Sequence, residues 1–122
     1  MKRDMELVRA ILLDIEANAT PQGGLNRPVS VDGYDRATIT AHVELMIRDA
    51  HLIHGEMKKF NTGDDTIIRG LTWRGHEFLD AASSDTIWTK AKNTILKPGS
   101  SVSFDLLLEW LKAEGKKHLG LP

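Results

Sequence analysis

The 122-residue sequence contains no cysteine. That absence excludes disulfide bonds, zinc sites built on thiolates and cysteine nucleophiles, and it suits a reducing compartment. The chain also lacks an excess of either charge, because 16 basic and 17 acidic residues give a formal net charge of -1. No global field therefore draws the protein towards nucleic acid or anionic lipid, and any such binding must come from a local patch.

Long apolar runs are missing as well. No stretch approaches the roughly 20 apolar residues that a membrane-spanning helix needs. Near the N-terminus, Arg9 and Asp14 interrupt the apolar residues, so the segment has the spacing of an amphipathic helix and not of a signal peptide. With 41% hydrophobic residues the chain can still build the core of one compact domain. We therefore expect a soluble, cytoplasmic protein that does not contact a membrane.

Over most of the sequence the apolar residues recur at helical spacing. Four positions offer a side chain that can cap the N-terminus of a helix. They are Asp35, Thr72, Ser84 or Asp85, and Ser101 or Ser103 for the last helix. Apolar residues recur at three and four after each cap and in the opening segment. The pattern predicts helices over residues 4–18, 35–50, 73–82, 85–97 and from 101 or 103 onwards.

Strand signals are fewer. Val29 and Val31 alternate with Ser30, which predicts a short strand after a loop rich in glycine and proline. Residues 52–60 and 66–71 flank the turn-forming sequence NTGDD, which predicts a β-hairpin.

These elements together predict an α+β, mainly helical fold. Residues 1–82 are expected to form a winged-helix-like core, in the order helix, short strand, helix, β-hairpin wing and helix. Residues 83–122 are expected to add two C-terminal helices packed on that core within a single compact domain.

Two short sequences resemble winged-helix regulators of the MarR and PadR kind. In those families the phrase Leu-Thr, two residues, Gly follows the second wing strand, and here it is Leu71, Thr72 and Gly75. The sequence IRDAHLI is similar to their exit from the recognition helix, with His51 in place of the usual glycine.

A second resemblance covers most of the chain. MKRDMELVRAILLDIE, ITAHVELMIRDAHLI, GLTWRGHEFLDA and DTIWTKAK resemble the family of bacterial and phage proteins known as domain of unknown function 2513. The resemblance implies a bacterial or prophage origin and a winged-helix-like core, and it brings no activity. Little room is left before the second helix for the first helix of a helix-turn-helix pair, so we expect that motif to be truncated.

Double-stranded DNA is the first candidate partner, because a winged helix places one helix in the major groove and its wing on the backbone. We expect Arg48, with Thr38 or Thr40, to face bases. Phosphate contacts and flanking positions are expected from Lys58, Lys59, Arg69, Arg36 and Arg74. Segment 35–50 has a local net charge of -1 and segment 54–76 one of +1, so these charges have the alternative of simply solvating a hairpin.

A protein-interaction module is the competing hypothesis. Leu106, Trp110 and Ala113 form a second apolar stripe on the last helix, which suits a homodimer or a host-protein partner. The alternative is that a small protein wraps this helix deeply.

Catalysis is not expected. His51, His54 and Glu56 are close in sequence but straddle a helix end and a strand, and no HExxH motif, nucleophile elbow or phosphate loop is present. We therefore expect no enzyme, metal or cofactor. The larger aromatic residues are expected to be mostly core residues: Trp73, Trp88, Trp110, Phe78 and Phe104.

Overall fold

A computed structural model describes residues 1–61, 63–97 and 102–122, without the side chains of residues 63 and 64. Within these residues the predicted α+β, mainly helical class is confirmed. The elements in chain order are α1 (Met5–Asn18), α2 (Arg36–Arg48), β1 (Ile53–Phe60), β2 (Gly63–Leu71), α3 (Trp73–Ala82), α4 (Asp85–Thr94) and α5 (Phe104–His118).

The chain forms two compact units, Met1–His76 and Glu77–Pro122. The first holds α1, α2, the β1–β2 hairpin and the start of α3, and the second holds the rest of α3 with α4 and α5. The predicted organisation, with residues 1–82 and 83–122 as parts of a single compact domain, stays a prediction.

Helix α1 forms the centre of the first unit. The Asp4 carboxylate caps it by accepting hydrogen bonds from the N–H groups of Glu6 and Leu7. The helix packs against α2 and β2. Its apolar stripe is buried as the spacing predicts, and burial of each such side chain stabilises the fold by roughly 1.5–3 kcal/mol; the stripe consists of Leu7, Val8, Ile11, Leu12 and Ile15.

The short strand predicted at Val29 and Val31 is wrong. Pro28 has no N–H to offer a ladder, and the residues after it take no strand conformation, although the Val29 side chain is buried. The hairpin instead gains a single antiparallel bridge from Leu25, whose N–H donates to the Ile68 carbonyl at 2.9 Å. Gly24 makes this possible, because a Cβ there would overlap the Ile68 carbonyl oxygen.

The segment before α2 contains no helix, in keeping with the little room that the sequence leaves there. Residues 19–35 are described throughout and form only isolated bridges and turns, such as the one closed by Tyr34 N–H on the Val31 carbonyl at 3.3 Å. That α2 belongs to a truncated helix-turn-helix motif stays a prediction.

The hairpin is antiparallel and nearly continuous. Its register pairs Ile53 with Leu71 at the base and Phe60 with Gly63 near the tip, with a bulge between His54 and Gly55. The strands extend into the predicted NTGDD turn, because β2 already begins at Gly63.

Helix α3 begins as the sequence predicts. Thr72 Oγ1 accepts the Gly75 N–H at 2.9 Å and donates to the His51 carbonyl at 2.6 Å, which ties the start of α3 to the end of α2. A Cβ on Gly75 would overlap the Leu52 carbonyl oxygen, so a glycine at this position allows α3 to approach the backbone before β1 closely.

The second unit has two capped helices. Ser84 caps α4 and Ser103 caps α5. The Phe78 and Phe104 rings lie 4.8 Å apart between centroids. The inward residues are Ile87, Trp88 and Ala91 on α4 and Leu107, Leu108 and Leu111 on α5. Helix α4 ends at Thr94, before the predicted Lys97, and the predicted stop at Pro98 and Gly99 and the alternative cap Ser101 lie outside the described residues.

Trp73 is an exception to the expectation that the larger aromatic residues are mostly core residues. It is 85% exposed, whereas Trp88 is buried. As the first residue of α3 it lies roughly 140° around the helix from Phe78, at about 100° per residue, and so it points away from the buried side that Phe78 and Leu79 mark.

Candidate nucleic-acid interface

Helix α2 separates a buried face from an accessible one. The Asp35 carboxylate fixes its start by accepting the Thr38 N–H at 2.8 Å, and the hydrogen bonds from Thr38 lower the pKa of Asp35. The inward face is formed by Ile39, His42, Val43 and Met46.

A four-residue spacing defines the accessible side of α2. Arg36, Thr40, Glu44 and Arg48 follow one another at i, i+4 and form a continuous row on the helix surface. We call these four residues the α2 row. Thr38 lies off the row, on the side of His42, whose ring contacts the Thr38 carbonyl. Of the two threonines expected to face bases, Thr40 alone lies in the row.

Partly buried hydrogen bonds hold α2 and the loop before it. Tyr34 donates its hydroxyl hydrogen to Asp4 at 2.7 Å, and this hydrogen bond, with burial and the carboxylate charge, raises the pKa of Tyr34 to about 12. His42, only 2% exposed, accepts the Asp4 N–H at Nε2 at 3.0 Å. Its Nδ1 lies 2.9 Å from the Thr38 carbonyl, so the neutral ring with the proton on Nδ1 satisfies both partners. His42 is therefore a buried residue of the inward face whose two ring nitrogens both have partners.

The hairpin lies against α2 through both of its strands. Ile53, Ile68 and Leu71 are buried. Lys58 and Phe60 are exposed near the tip, and Lys59 is 61% exposed and turns its ammonium towards α2. This arrangement brings the Lys59 side chain of the hairpin to α2.

Two ion pairs connect α2 to the hairpin, and a third lies within α2. Glu44 Oε2 lies 2.8 Å from Arg48 Nη1 and 4.0 Å from Lys59 Nζ, so one carboxylate holds a cation of the helix and a cation of the wing. At the other end of the row Arg36 lies 3.6 Å from Asp65 on β2. All the basic partners are well exposed, and pairs of this kind contribute little stability.

Arg69 and Arg74 lie outside the α2 row. Arg69 forms an exposed ion pair with Glu56 across the hairpin, which lowers the pKa of Glu56. Arg74 donates from Nε to the Ala50 carbonyl at 3.2 Å, just after the end of α2. The structure therefore brings together Arg36, Thr40, Arg48 and Lys59, and places Arg69 on the hairpin and Arg74 at its base.

The charges of this surface are partly neutralised. Helix α2 and the hairpin together carry five basic and four acidic residues, for a net charge of +1; they are Arg36, Arg48, Lys58, Lys59 and Arg69 with Glu44, Glu56, Asp64 and Asp65. Sequence reasoning missed Glu44 as the meeting point. The i, i+4 spacing of Glu44 and Arg48 could have predicted the first of the two ion pairs at Glu44. The second could not be predicted, because Lys59 comes close to Glu44 only when the hairpin packs against α2.

The stripe on α5 is partly covered within the chain. Leu106 is 57% exposed and Ala113 is exposed, while Trp110 is half-buried. Among the described residues, no helix is both long enough and apolar enough to cross a membrane.

Comparisons with known proteins give the family. The family model described as "Hypothetical protein (DUF2513)" matches residues 2–101. The chain is 38% identical over 112 residues to an uncharacterized protein of Haemophilus influenzae (strain Rd), covering 92% of this chain and 90% of that protein. The search of solved structures gave no match. The chain belongs to the DUF2513 family, as its sequence resemblance indicates.

Proposed function

We propose that this protein binds double-stranded DNA through its first unit, with the α2 row in the major groove and the β1–β2 hairpin along the phosphate backbone. The observation that carries the proposal is the meeting of Arg48 of α2 and Lys59 of the hairpin at Glu44. A helix and a wing that act together on a duplex must present their cations on one surface, and these two elements do so.

The residues of the α2 row suit a groove. Arginine reads guanine through two hydrogen bonds, and threonine can serve several bases. Arg36 and Arg48 stand at the two ends of the row, with Thr40 between them, and the neighbouring Ala37 and Ala41 leave room for close approach.

The ion pairs do not prevent phosphate binding. Exposed pairs are worth only about 0–1 kcal/mol, so a phosphate can replace the carboxylate that each cation contacts in the free protein. The cost of that exchange and the small net charge together indicate modest affinity for unspecific sequences.

Fluorescence anisotropy with a labelled mixed-sequence 20-bp duplex tests the proposal. We expect binding at low salt, with log K falling by roughly 0.9 per phosphate contact for each unit of log salt. Arg48→Ala combined with Lys59→Ala should weaken binding at least tenfold, since lost charged contacts are worth about 1–3 kcal/mol or more together.

The matched control is Lys92→Ala combined with Lys116→Ala, which removes two exposed cations from α4 and α5. Failure to bind at low salt, both for the mixed duplex and for a random-sequence pool, would contradict the proposal. Equal losses of affinity in the two double variants would show that only the overall charge matters, and would contradict a role of α2 in binding.

A second candidate function rests on the exposure of Leu106 and Ala113. We propose as the alternative that α5 pairs with a second copy or with another protein. Light scattering should then show a dimer at high concentration that Trp110→Ala weakens. A monomer unchanged by that substitution would exclude the homodimer.

A further inference from the structure

Glu44 occupies an unusual position in a surface meant for phosphate. It is the one acidic residue of the α2 row, and its carboxylate lies between Arg48 at 2.8 Å and Lys59 at 4.0 Å. Its side chain is 29% exposed, so a partner arriving from solvent can reach it. A carboxylate here repels phosphate and at the same time occupies the two cations best placed to bind it.

We infer that Glu44 is a specificity-determining residue, which accepts a hydrogen bond from the 4-amino group of a cytosine in the major groove and suppresses binding to other sequences. This inference rests on the proposed DNA binding. It adds the class of sequence that the site prefers, namely duplexes with a C·G pair at the position that Glu44 faces.

The chemistry follows from the donors and acceptors available. An ionised carboxylate only accepts hydrogen bonds, and cytosine is the base whose major-groove edge offers a donor without an adjacent acceptor of its own. At any sequence without that donor, the Glu44 carboxylate has no hydrogen-bond donor on the base edge that it faces, and its negative charge opposes binding. With cytosine present, the carboxylate accepts a hydrogen bond from the amino group, which offsets part of that cost.

The effect on unspecific binding can be measured directly. In Glu44→Gln the carboxylate charge is gone and both ion pairs with Glu44 are lost, so the variant should bind a mixed-sequence 20-bp duplex about threefold to tenfold more tightly than the wild type, the range expected when two exposed ion pairs are relieved. The salt dependence should steepen by up to about two phosphate contacts, each adding roughly 0.9 to the slope.

The effect on sequence preference needs a second measurement. Selection from a random-sequence duplex pool with the wild-type protein should enrich a C·G pair at one position. The same selection with Glu44→Gln should lose that preference, because the amide reads adenine as readily as it accepts from cytosine. Glu44→Ala provides a second variant with the same expected gain in unspecific affinity.

Glu109→Gln is the matched control, because it removes one exposed carboxylate on α5 that also lies 4.0 Å from a lysine. It should leave both measurements unchanged. If the wild type binds and Glu44→Gln binds no more tightly, or the cytosine preference survives, the inference is overturned while DNA binding stands. If neither protein binds any duplex at low salt, DNA binding itself is wrong and this inference is lost with it.

Discussion

Asp4, Tyr34 and His42 position α2 through contacts between residues that are 30 and 38 positions apart in the chain. Asp4 serves three partners at once, because its carboxylate caps α1 and accepts from Tyr34 while its N–H donates to His42. No spacing rule reveals such contacts, since they exist only once α1 and α2 are packed together.

Tyr34 gives a direct test of this arrangement, because it is the single tyrosine of the chain. Ultraviolet absorbance of the phenolate should titrate near the raised pKa of about 12 in the folded protein, against about 10 for an unperturbed tyrosine. Because the folded pKa is the higher one, the stability from this hydrogen bond is complete below about pH 10 and is lost as pH rises towards the folded value.

Asp4→Asn should return the phenolate pKa towards its ordinary value, since the charge that opposes ionisation is removed. The amide can still cap α1, so the helix should persist by circular dichroism. A phenolate that titrates near pH 10 in both proteins would show that Tyr34 does not contact Asp4.

The two tryptophans at opposite extremes of exposure provide a second test at the scale of single residues. Trp88→Ala should lower the free energy of unfolding by about 3–5 kcal/mol, because a large buried side chain leaves a cavity. Trp73→Ala should change it by no more than about 0.5 kcal/mol, because that side chain is almost fully exposed. Urea denaturation followed by circular dichroism measures both, and equal losses would contradict the placement of Trp73.

At the scale of secondary-structure elements, the connection between the hairpin and α3 requires a glycine at position 75. Gly75→Ala should cost about 1–3 kcal/mol of unfolding free energy, because the new methyl group meets a backbone carbonyl that cannot move cheaply.

Gly115→Ala is the matched comparison. Gly115 lies within α5 with open space where a Cβ would stand, so alanine there should stabilise the protein by roughly 0.5–1 kcal/mol. If both substitutions have the same sign in urea denaturation, the close approach of α3 to Leu52 is not what makes Gly75 necessary.

The sequence predicts the elements well where one local rule decides. Asp35 and Thr72 cap helices as expected, and the apolar stripe of α1 is buried. The strand predicted at Val29 and Val31 is absent, because alternation of apolar residues alone cannot show that a residue beside a proline contributes to the core from a loop. For Trp73 the residue type alone does not predict burial, because the side chain of the first residue of a helix can point into solvent.

At the scale of the whole molecule, charge sets the limits of the proposed function. The formal net charge is -1, so attraction to DNA must come from the surface formed by α2 and the hairpin. The residues of that surface could be named from the sequence, but their meeting at Glu44 depends on the packing of α2 against β1 and could not. Because the slope of log K against log salt grows with the number of phosphate contacts, so few cations should give a modest affinity with a shallow salt dependence.

The most direct test is to titrate isotope-labelled protein with a mixed-sequence 20-bp duplex at low salt and follow its backbone amide resonances. We expect the shifts to concentrate on residues 36–48 of α2 and on the hairpin from His54 to Arg69, and to vanish as salt is raised. Shifts absent at low salt, or confined to α5 around Leu106 and Trp110, would contradict it.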